Sequence, residues 1–210
     1  MLICKKVKIN IRIIVYYFFM DYCYSKIDPI FKYYLHTGFD HSIQEVADAV
    51  HVTKKTLFNR YKTKENLEHC LVNYWQVKSC ERLVQRMEYA NNAVEKLMMF
   101  LFELQYGRNN EFHFFQKTKV MFLEKFEQIN PLFITHLEDI FKMGVEEGLF
   151  RFEFEPKVFA YFFQGNALFI LLSDTVINTD YISFLFRPIL TETGKIVFQD
   201  IDIEQIFKYS

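Results

Sequence analysis

The chain has 210 residues, 51% of them apolar, and its 25 Phe and 13 Tyr accompany only six Gly and four Pro. This composition is ample for a buried core, favours helices and argues against a turn-rich β-sandwich or barrel. The net charge of −1 divides into a basic and an acidic part, since residues 1–75 carry eleven Lys and Arg against seven Asp and Glu, and residues 76–210 carry fourteen against nineteen.

The N-terminal segment, residues 1–25, precedes the first motif. Three lysines stand before an apolar run over residues 13–20, an arrangement that superficially resembles a signal peptide. The run is far shorter than the roughly 20 residues that span a bilayer, and no small-residue cleavage site follows it. We therefore predict no membrane association and interpret residues 1–19 as an extension before a native start at Met20. The alternative is an N-terminal helix or arm lying against the domain that follows it.

The four cysteines, Cys4, Cys23, Cys70 and Cys80, form no C-x-x-C pair and have no His at zinc-finger spacing. We interpret them as free thiols in a reducing cytoplasm, where we expect the protein to act. A redox sensor that uses Cys70 and Cys80 is the alternative.

The first helices are predicted from their periodicity and their caps. An amphipathic helix is expected from Asp28 to His36, with Asp28 as its cap and Gly38 as its stop. Ser42 and Glu45 then provide the capping box Ser-Ile-Gln-Glu of a second short helix.

A third helix is predicted from Lys54 to Tyr61, with Thr53 as its cap and a turn at His51 and Val52 before it. Two short helices joined by a tight turn form a helix-turn-helix, whose second helix reads the major groove of DNA. We expect this recognition helix to bury Leu57, Phe58 and Tyr61 and to expose Lys54, Lys55, Thr56, Asn59 and Arg60. Thr63 can cap a fourth helix that runs through Trp75, so residues 26–75 form the predicted DNA-binding domain.

An ordered run of residues resembles the TetR/AcrR repressor family. It reads Ser42-Ile43-x-x-Val46-Ala47-x-x-Val50-x-Val52-Thr53-x-x-Thr56-Leu57-Phe58-x-x-Tyr61-x-x-Lys64-Glu65-x-Leu67. Upstream, Tyr34-x-x-x-Gly38-Phe39 matches the end of the family's first helix. The resemblance covers about 45 of the 210 residues, in order and without gaps.

Three residues depart from the family pattern. His51 stands where the family usually has Gly, and His tolerates positive φ better than most residues but less well than Gly. Ile30 replaces a small Ala and requires local repacking. Phe58 replaces a Tyr of the recognition helix, so one phosphate-directed hydroxyl is absent. These departures affect the expected DNA affinity and not the expected fold.

The resemblance implies an all-α homodimer in which a three-helix N-terminal head binds double-stranded operator DNA. It also implies a transcriptional repressor, with Lys64 and the exposed N–H groups at the start of the fourth helix holding a phosphate. The predicted DNA-binding residues are Ser42, Thr53, Lys54, Lys55, Thr56, Phe58, Asn59, Arg60, Tyr61, Lys62 and Lys64.

Residues 76–210 are predicted to form a helical regulatory and dimerisation domain. The fourth helix is expected to continue toward Tyr89, and Gly107-Arg108-Asn109-Asn110 and Gly148 are expected to end later helices. Gly144-Val145-Glu146-Glu147-Gly148-Leu149-Phe150-Arg151 resembles a passage of the family's regulatory domains. The predicted helices cover residues 94–106, 111–126, 131–147, 156–173 and a region from 180 that is broken near Pro188 and Gly194.

The helix over residues 156–173 is apolar on nearly all sides, which predicts burial on two sides. In the TetR family the last two helices of each subunit form a four-helix dimer bundle, so the resemblance places this helix in the dimer interface. The alternative is a core helix within one chain. The predicted interface residues are Ala160, Gln164, Gly165, Ala167, Leu168 and Leu171.

Aromatic and Met side chains of the second domain can line an adaptable apolar pocket. An inducer would then be mostly apolar, such as a fatty-acyl chain, a sterol-like compound or a hydrophobic drug. The alternative is ordinary core packing in a ligand-independent DNA-binding or adaptor protein. The predicted pocket residues are Phe102, Phe112, Phe115, Met121, Phe122 and Phe141.

The sequence contains no recognisable catalytic or cofactor motif. Gly-x-Ser-x-Gly, the P-loop, the Gly-rich dinucleotide turn and His-Glu-x-x-His are all absent, and the six His are dispersed. We therefore expect no enzyme activity, no cofactor and no metal.

Overall fold

The computed structural model describes residues 27–117, 131–172 and 178–203. Within these ranges the chain consists of helices and their connecting turns, with one isolated β-bridge between Phe150 and Leu190. The all-α prediction is confirmed. The chain divides into two compact units, one that ends at Tyr74 and one that begins at Trp75.

The first unit contains three short helices and the beginning of a long one. The predicted bounds of the first and third helices are confirmed to within one residue. The helices are α1 (Asp28–Thr37), α2 (Ile43–Ala49), α3 (Lys54–Tyr61) and α4 (Lys64–Met87), which contains the division between the units.

Side-chain caps fix where the helices of the first unit begin. Ser42 Oγ accepts a hydrogen bond from the backbone N–H of Glu45 at 3.2 Å, and the Ser42 N–H donates to Glu45 Oε2 at 2.7 Å, which confirms the capping box. Thr53 Oγ1 accepts from the Thr56 N–H at 3.1 Å, and the Thr63 hydroxyl caps α4 in the same way. Each cap contributes about 1 kcal/mol, so local sequence sets the spacing of these helices.

The predicted cap at Asp28 is wrong. Asp28 is the first residue of α1, and its carboxylate instead accepts a hydrogen bond from the hydroxyl of Tyr74 on α4. The Phe31 ring packs edge-on against the same Tyr74, with ring centres 5.2 Å apart. Ile30, which replaces the small residue of the family pattern, is buried beside these contacts in the core of the unit.

The second unit has an aromatic core. The rings of Phe141 and Phe159 lie 4.6 Å apart between centres, and those of Phe159 and Phe163 lie 4.8 Å apart. In the part of the chain that is described, no helix is both long enough and apolar enough to cross a bilayer. The elements after α4 are α5 (Ala93–Asn110), a helical segment over residues 112–117, α6 (Pro131–Glu146), α7 (Pro156–Leu172), α8 (Thr179–Phe186) and α9 (Glu192–Gln199).

The predicted end of α5 near Tyr106 is wrong, because the helix continues through Gly107 to Asn110. A Cβ atom on Gly107 would lie 3.2 Å from the ring of Trp75, so this glycine admits the ring and does not stop the helix. Glycine inside a helix costs roughly 1 kcal/mol relative to Ala, and the close packing of the indole offsets that cost. Of the helix predicted over 111–126, residues 112–117 are helical, residue 111 is not, and residues 118–126 lie outside the described residues.

Two glycines shape the link between α6 and α7. Gly148 has φ +72 just after α6 and ends it, as predicted. A Cβ atom on Gly144 would overlap the ring of Phe150, so a glycine is needed there for Phe150 to fold back onto α6. Gly194, by contrast, does not break the last helical region. It lies inside α9, where a Cβ atom would overlap the carbonyl oxygen of Leu149.

Five side chains of the second unit form a polar cluster, which we call the Arg82 cluster: Trp75, Arg82, Arg86, Glu103 and Glu111. Arg82 Nη2 lies 2.8 Å from Glu103 Oε1 and 2.7 Å from Glu111 Oε2. Arg86 pairs with the other oxygen of Glu103, and the indole N–H of Trp75 donates to Glu111 at 2.5 Å. Both carboxylates are buried, so fixed donors replace the water that they lose on folding. No sequence motif pointed to this cluster.

Cys70 and Cys80 lie ten residues apart on α4, which separates their Cα atoms by about 15 Å at the rise of an α-helix. A disulfide requires Cα atoms within about 7 Å, so the two cannot pair within one chain. Burial raises the pKa of the Cys80 thiol to about 12, which keeps it protonated and unreactive at neutral pH. A redox sensor that works by pairing Cys70 with Cys80 in one chain is therefore excluded. Cys4 and Cys23 lie outside the described residues.

Candidate nucleic-acid interface

The turn between α2 and α3 has the geometry that a helix-turn-helix requires. His51 adopts φ +54, the left-handed conformation for which the family usually has Gly. The Val52 N–H donates to the carbonyl oxygen of Ala47 at 2.9 Å, which closes the turn directly before the Thr53 cap. The chain therefore makes the expected turn, and His51 adopts there a conformation that is less favourable for it than for Gly.

Helix α3 packs on two residues and exposes the rest. Leu57 and Tyr61, one turn apart, are each only 4% exposed and anchor the helix in the head. Phe58, which we expected to be buried with them, is 58% exposed. The prediction for Phe58 is wrong because successive helical residues point about 100° apart, so this ring leaves the narrow buried stripe. The other exposed residues of the helix are Lys54, Lys55, Thr56 and Asn59, with Arg60 half-buried.

Positive charge is concentrated on and just after α3. Residues 54–64 contain five Lys and Arg and no Asp or Glu, whereas residues 27–74 as a whole contain six of each sign. The excess of basic residues in the N-terminal part of the chain therefore comes from residues 1–26, outside the described ranges. The rest of residues 27–74 carries one Lys against six Asp and Glu, so attraction for phosphate is confined to this one helix and the residues just after it.

Lys62 occupies a strained turn between α3 and α4. It has φ +67 and ψ −47, and the Thr63 N–H donates to the Tyr61 carbonyl oxygen at 2.8 Å, which makes a γ-turn of the rare positive-φ kind. Its ammonium donates to the carbonyl oxygen of Asn59 at 2.8 Å, so the charge is held against the end of α3. Such conformations cost roughly 1–3 kcal/mol and are concentrated at functional sites.

Lys64 is tied into the head. Its Nζ donates to the carbonyl oxygen of Phe39 at 3.0 Å and lies 3.4 Å from Glu68 Oε1. An ammonium group has three donors, so one remains for a phosphate at the start of α4. Its side chain is thus both a tie between α4 and the loop before α2 and a candidate backbone contact.

The predicted hydroxyl contacts are already used within the head. Ser42 caps α2. Hydrogen bonds from Ser42 to the Glu45 carboxylate, above all the one from the backbone N–H and next the one from the side chain, lower the pKa of the Glu45 carboxyl. Thr53 Oγ1 and Thr56 Oγ1 lie 2.9 Å apart and share a hydrogen bond. A phosphate would have to share these hydroxyls with the caps.

Comparison with known proteins bears on this arrangement. No protein-family profile matches the sequence, and no curated protein matches it significantly. Solved structures do match. The regulator FadR from Bacillus subtilis in complex with stearoyl-CoA has a TM-score of 0.58 at 14% identity, over 87% of this chain and 92% of that one. A TetR-family regulator from Agrobacterium tumefaciens has a TM-score of 0.57 at 13% identity, over 80% of this chain and 100% of that one.

A third structure, AibR in complex with isovaleryl coenzyme A and operator DNA, has a TM-score of 0.52 at 20% identity, over 79% of this chain and 98% of that one. The chain has the TetR-family fold. The predicted resemblance is thus confirmed for the fold. Identities this low carry no residue roles with them, so the function has to be argued from this chain's own side chains.

The described pocket candidates of this TetR fold do not share one environment. Phe141 stacks with Phe150 and Phe159 in the aromatic core, and Phe102 lies under the guanidinium of Arg86, with its ring centre 4.4 Å away. Phe115 is buried and Phe112 is exposed. Met121 and Phe122 lie outside the described residues.

The interface candidates of α7 require a correction. Ala160 and Gln164 are 0% and 8% exposed in the core of their own chain, so these two do not face a partner, whereas Ala167 is only partly buried against that core. Gly165 is exposed and has no heavy atom within 4 Å of where a Cβ would stand. The side chains of Leu168 and Leu171 lie outside those described.

The opposite face of α7 is also apolar, and it is exposed. We call its residues the α7 stripe: Val158, Tyr161, Phe162, Gly165 and Phe169. They follow the spacing of a single helical face. Sequence reasoning missed this stripe because both faces of α7 are apolar, and periodicity cannot separate a buried apolar face from an exposed one.

Replacing His51 with Gly should raise the free energy of unfolding by about 1 kcal/mol, because a left-handed conformation costs a residue with a Cβ atom roughly 1–2 kcal/mol and costs Gly little. Thermal or urea unfolding measures the gain. His36, at the end of α1 in the same unit, offers the control, since it lies in a helix and His36→Gly should be destabilising. A loss of stability in His51→Gly would contradict the strained turn.

Proposed function

We propose that this chain is a sequence-specific DNA-binding regulator that acts as a homodimer in the cytoplasm. The observation that carries the proposal is α3, which is anchored by Leu57 and Tyr61 and presents an exposed face bearing cations and an amide. A helix presented in this way by a helix-turn-helix fits the major groove. In a two-fold dimer, two such helices meet successive major grooves of a palindromic operator.

Different residues of α3 serve different parts of the contact. Lys55 and Asn59, one turn apart on the side opposite the anchors, are assigned to base edges, since Asn pairs with adenine and Lys with guanine. Thr56 and Arg60 flank them. Lys62 and Lys64 are assigned to phosphates, which position the head without reading sequence.

We further propose that the regulator is a repressor and that an apolar ligand releases it from DNA. Two of the structures named above, FadR and AibR, hold an acyl thioester of coenzyme A, and the AibR structure holds operator DNA as well. The acyl-CoA ligands of these two structures favour a fatty-acyl compound among the apolar ligands. Release requires that the ligand bind the DNA-free conformation more tightly than the DNA-bound one, because tight binding alone shifts no equilibrium.

The α7 stripe supports the dimer. Apolar residues exposed in a continuous row along a helix are unusual for a monomer and mark an association surface. Phe169 of the stripe stacks with Tyr181 of α8 at 6.4 Å between ring centres, so α8 borders the same surface. A second copy that presents the same stripe would cover it, as the two-fold symmetry of a dimer requires.

Selection of binding sites from a random duplex pool by the full-length protein tests the central proposal. A palindromic sequence should be enriched, with half-sites about one helical turn apart. Enrichment of no sequence would refute sequence-specific binding.

Lys64→Ala and Asn59→Ala should weaken operator binding in different ways. Lys64→Ala should weaken binding to all sequences alike and lower the slope of log affinity against log salt by about one for each head, because one phosphate contact is lost. Asn59→Ala should leave the slope unchanged and relax the sequence preference at one base pair per half-site. Binding isotherms at four salt concentrations, with the operator and with unrelated DNA, measure both.

Lys142→Ala is the matched control, because this exposed lysine of α6 lies in the other unit. It should change neither the slope nor the preference. Since Lys64 also ties α4 to Phe39, the folding of each variant is checked by thermal unfolding. An unchanged salt slope in Lys64→Ala would remove that residue from the interface.

The second candidate function is a ligand-independent DNA-binding or adaptor protein with a solid core. The close packing of the Phe141 ring against Phe150 and Phe159 favours a solid core around Phe141. A thermal-shift screen with long-chain acyl-CoA, free fatty acids and sterols, followed by operator release, separates the two. Stabilisation together with release supports the inducible repressor, and absence of both across the panel supports the solid core.

A further inference from the structure

The exposed ring on the recognition helix is that of Phe58. Because Leu57 and Tyr61 supply the buried contacts of α3, the head does not need this ring for its core. The ring is 58% exposed, and single exposed apolar side chains are common, so its position has to be considered with its exposure. Its place on the recognition helix, together with its exposure, points to a partner that covers it.

Three cations lie close to Phe58 in the chain. Lys54 and Lys55 stand four and three residues before Phe58 on the same side of α3, and Lys62 follows just beyond the end of the helix. No acidic residue occurs from residue 54 to residue 64. The surface that covers the ring is therefore polyanionic, and together with the helix-turn-helix this selects duplex DNA over an apolar protein surface.

The ring also limits which part of the duplex it can contact. A phenyl group has no donor, so it cannot hold a phosphate as a hydroxyl in its place would. The major groove presents one apolar group to such a side chain, the C5 methyl of thymine. About 100° of rotation separates Phe58 from Asn59, which places the ring on the flank of the Lys55–Asn59 ridge, next to the base pairs assigned to that ridge.

We propose that Phe58 packs against the methyl group of one thymine in each operator half-site and makes the protein prefer a T·A pair there. The inference rests on the proposed DNA-binding function and adds to it a specificity residue and the base that the residue selects. Cytosine lacks the methyl group, so the contact also discriminates against a C·G pair at that position.

Deoxyuridine scanning of the selected operator tests the proposal, because uracil differs from thymine only by the methyl group. One thymine position is changed to uracil at a time, in both half-sites of the same duplex, and affinity is measured with the full-length protein. At one position the replacement should weaken binding about four- to fifteenfold, the range expected for one to two buried apolar groups of this size in the dimer complex. At the other thymines it should have little effect.

Phe58→Ala completes a double-mutant cycle. It should weaken binding to the thymine operator by a similar factor and show no further loss when uracil replaces the sensitive thymine. Phe58→Tyr keeps the ring and should keep the difference between thymine and uracil. Asn59→Ala, on the neighbouring position of α3, should weaken binding but retain that difference. Since Phe58 is exposed, these variants should fold, which circular dichroism checks.

The outcomes separate this inference from the function on which it rests. If an operator is selected but no thymine is sensitive to loss of its methyl, the inference is overturned and the proposed function stands. The same holds if the sensitivity persists in Phe58→Ala. If no sequence is selected at all, both are overturned. A thymine that loses its methyl dependence only in Phe58→Ala establishes the contact.

Discussion

Arg82→Met should lower the free energy of unfolding by about 3–5 kcal/mol, because it leaves two buried carboxylates without their shared cation. Arg82 donates to Glu103 through Nε at 3.1 Å and through Nη2 at 2.8 Å, and the same Nη2 donates to Glu111 at 2.7 Å. Methionine has a similar length and fills the space, so the lost charge accounts for most of the effect. Urea unfolding monitored by circular dichroism measures it.

The loss of unfolding free energy in Arg82→Met should depend on pH, and the pKa of Glu103 determines the direction of that dependence. Burial raises the pKa of Glu103 above its ordinary value, and Arg82 and Arg86 oppose that rise. Removing Arg82 removes part of the opposition, so in the variant this pKa rises further. A carboxyl whose folded pKa exceeds its unfolded pKa destabilises the fold when it is ionised and ceases to do so as the pH falls through the folded value. The difference between wild type and Arg82→Met should therefore be smaller at about pH 5 than at about pH 8.

Lys78→Met is the matched control on the same helix. Lys78 Nζ pairs with Glu81 at 2.9 Å, but both side chains are exposed by more than a third, so this pair contributes at most about 1 kcal/mol. Lys78→Met should lower the free energy of unfolding only slightly, and its difference from wild type should not become smaller at low pH. Equal deficits in the two variants, or a deficit in Arg82→Met that is independent of pH, would contradict the role assigned to the cluster.

The parts of the fold that the sequence predicts well are those set by neighbours in the chain. The capping box at Ser42 and the bounds of α3 depend on residues within four positions of each other, and both are confirmed. The anchors Leu57 and Tyr61 follow from the helical period. Phe58 shows the limit of that reasoning, since an aromatic residue was assigned to the core by its type although its angular position lies off the stripe.

The parts that the sequence does not predict are those set by distant residues. Arg82 and Glu103 are 21 residues apart, and nothing local marks either as buried. Gly107 reads as a helix stop because its packing partner, Trp75, is 32 positions away in the chain. The two faces of α7 are alike in composition, so only the folded chain distinguishes the one with Ala160 in the core from the one with Tyr161 at the surface.

Tyr161→Glu should dissociate the proposed dimer and weaken operator binding at least about a hundredfold, which corresponds to about 2.7 kcal/mol. Tyr161 is 54% exposed at the middle of the α7 stripe. In a two-fold interface each substitution occurs twice, once on each side of the axis. A carboxylate placed there without a partner loses its water on association, at a cost of several kcal/mol. Analytical ultracentrifugation over a range of concentrations measures the dissociation, and binding to the selected operator measures its consequence.

Tyr89→Glu makes the same chemical change at a site that is 84% exposed and is not part of α7, just after the end of α4. It should leave both the dimer and operator binding unchanged. Because Tyr161 is exposed in the separate chain, the Tyr161→Glu protomer should remain folded. A folded Tyr161→Glu protein that stays dimeric would move the interface off the α7 stripe. If it is monomeric yet still binds the operator as tightly as wild type, two-fold recognition itself would be contradicted, because a single head would then account for the whole affinity.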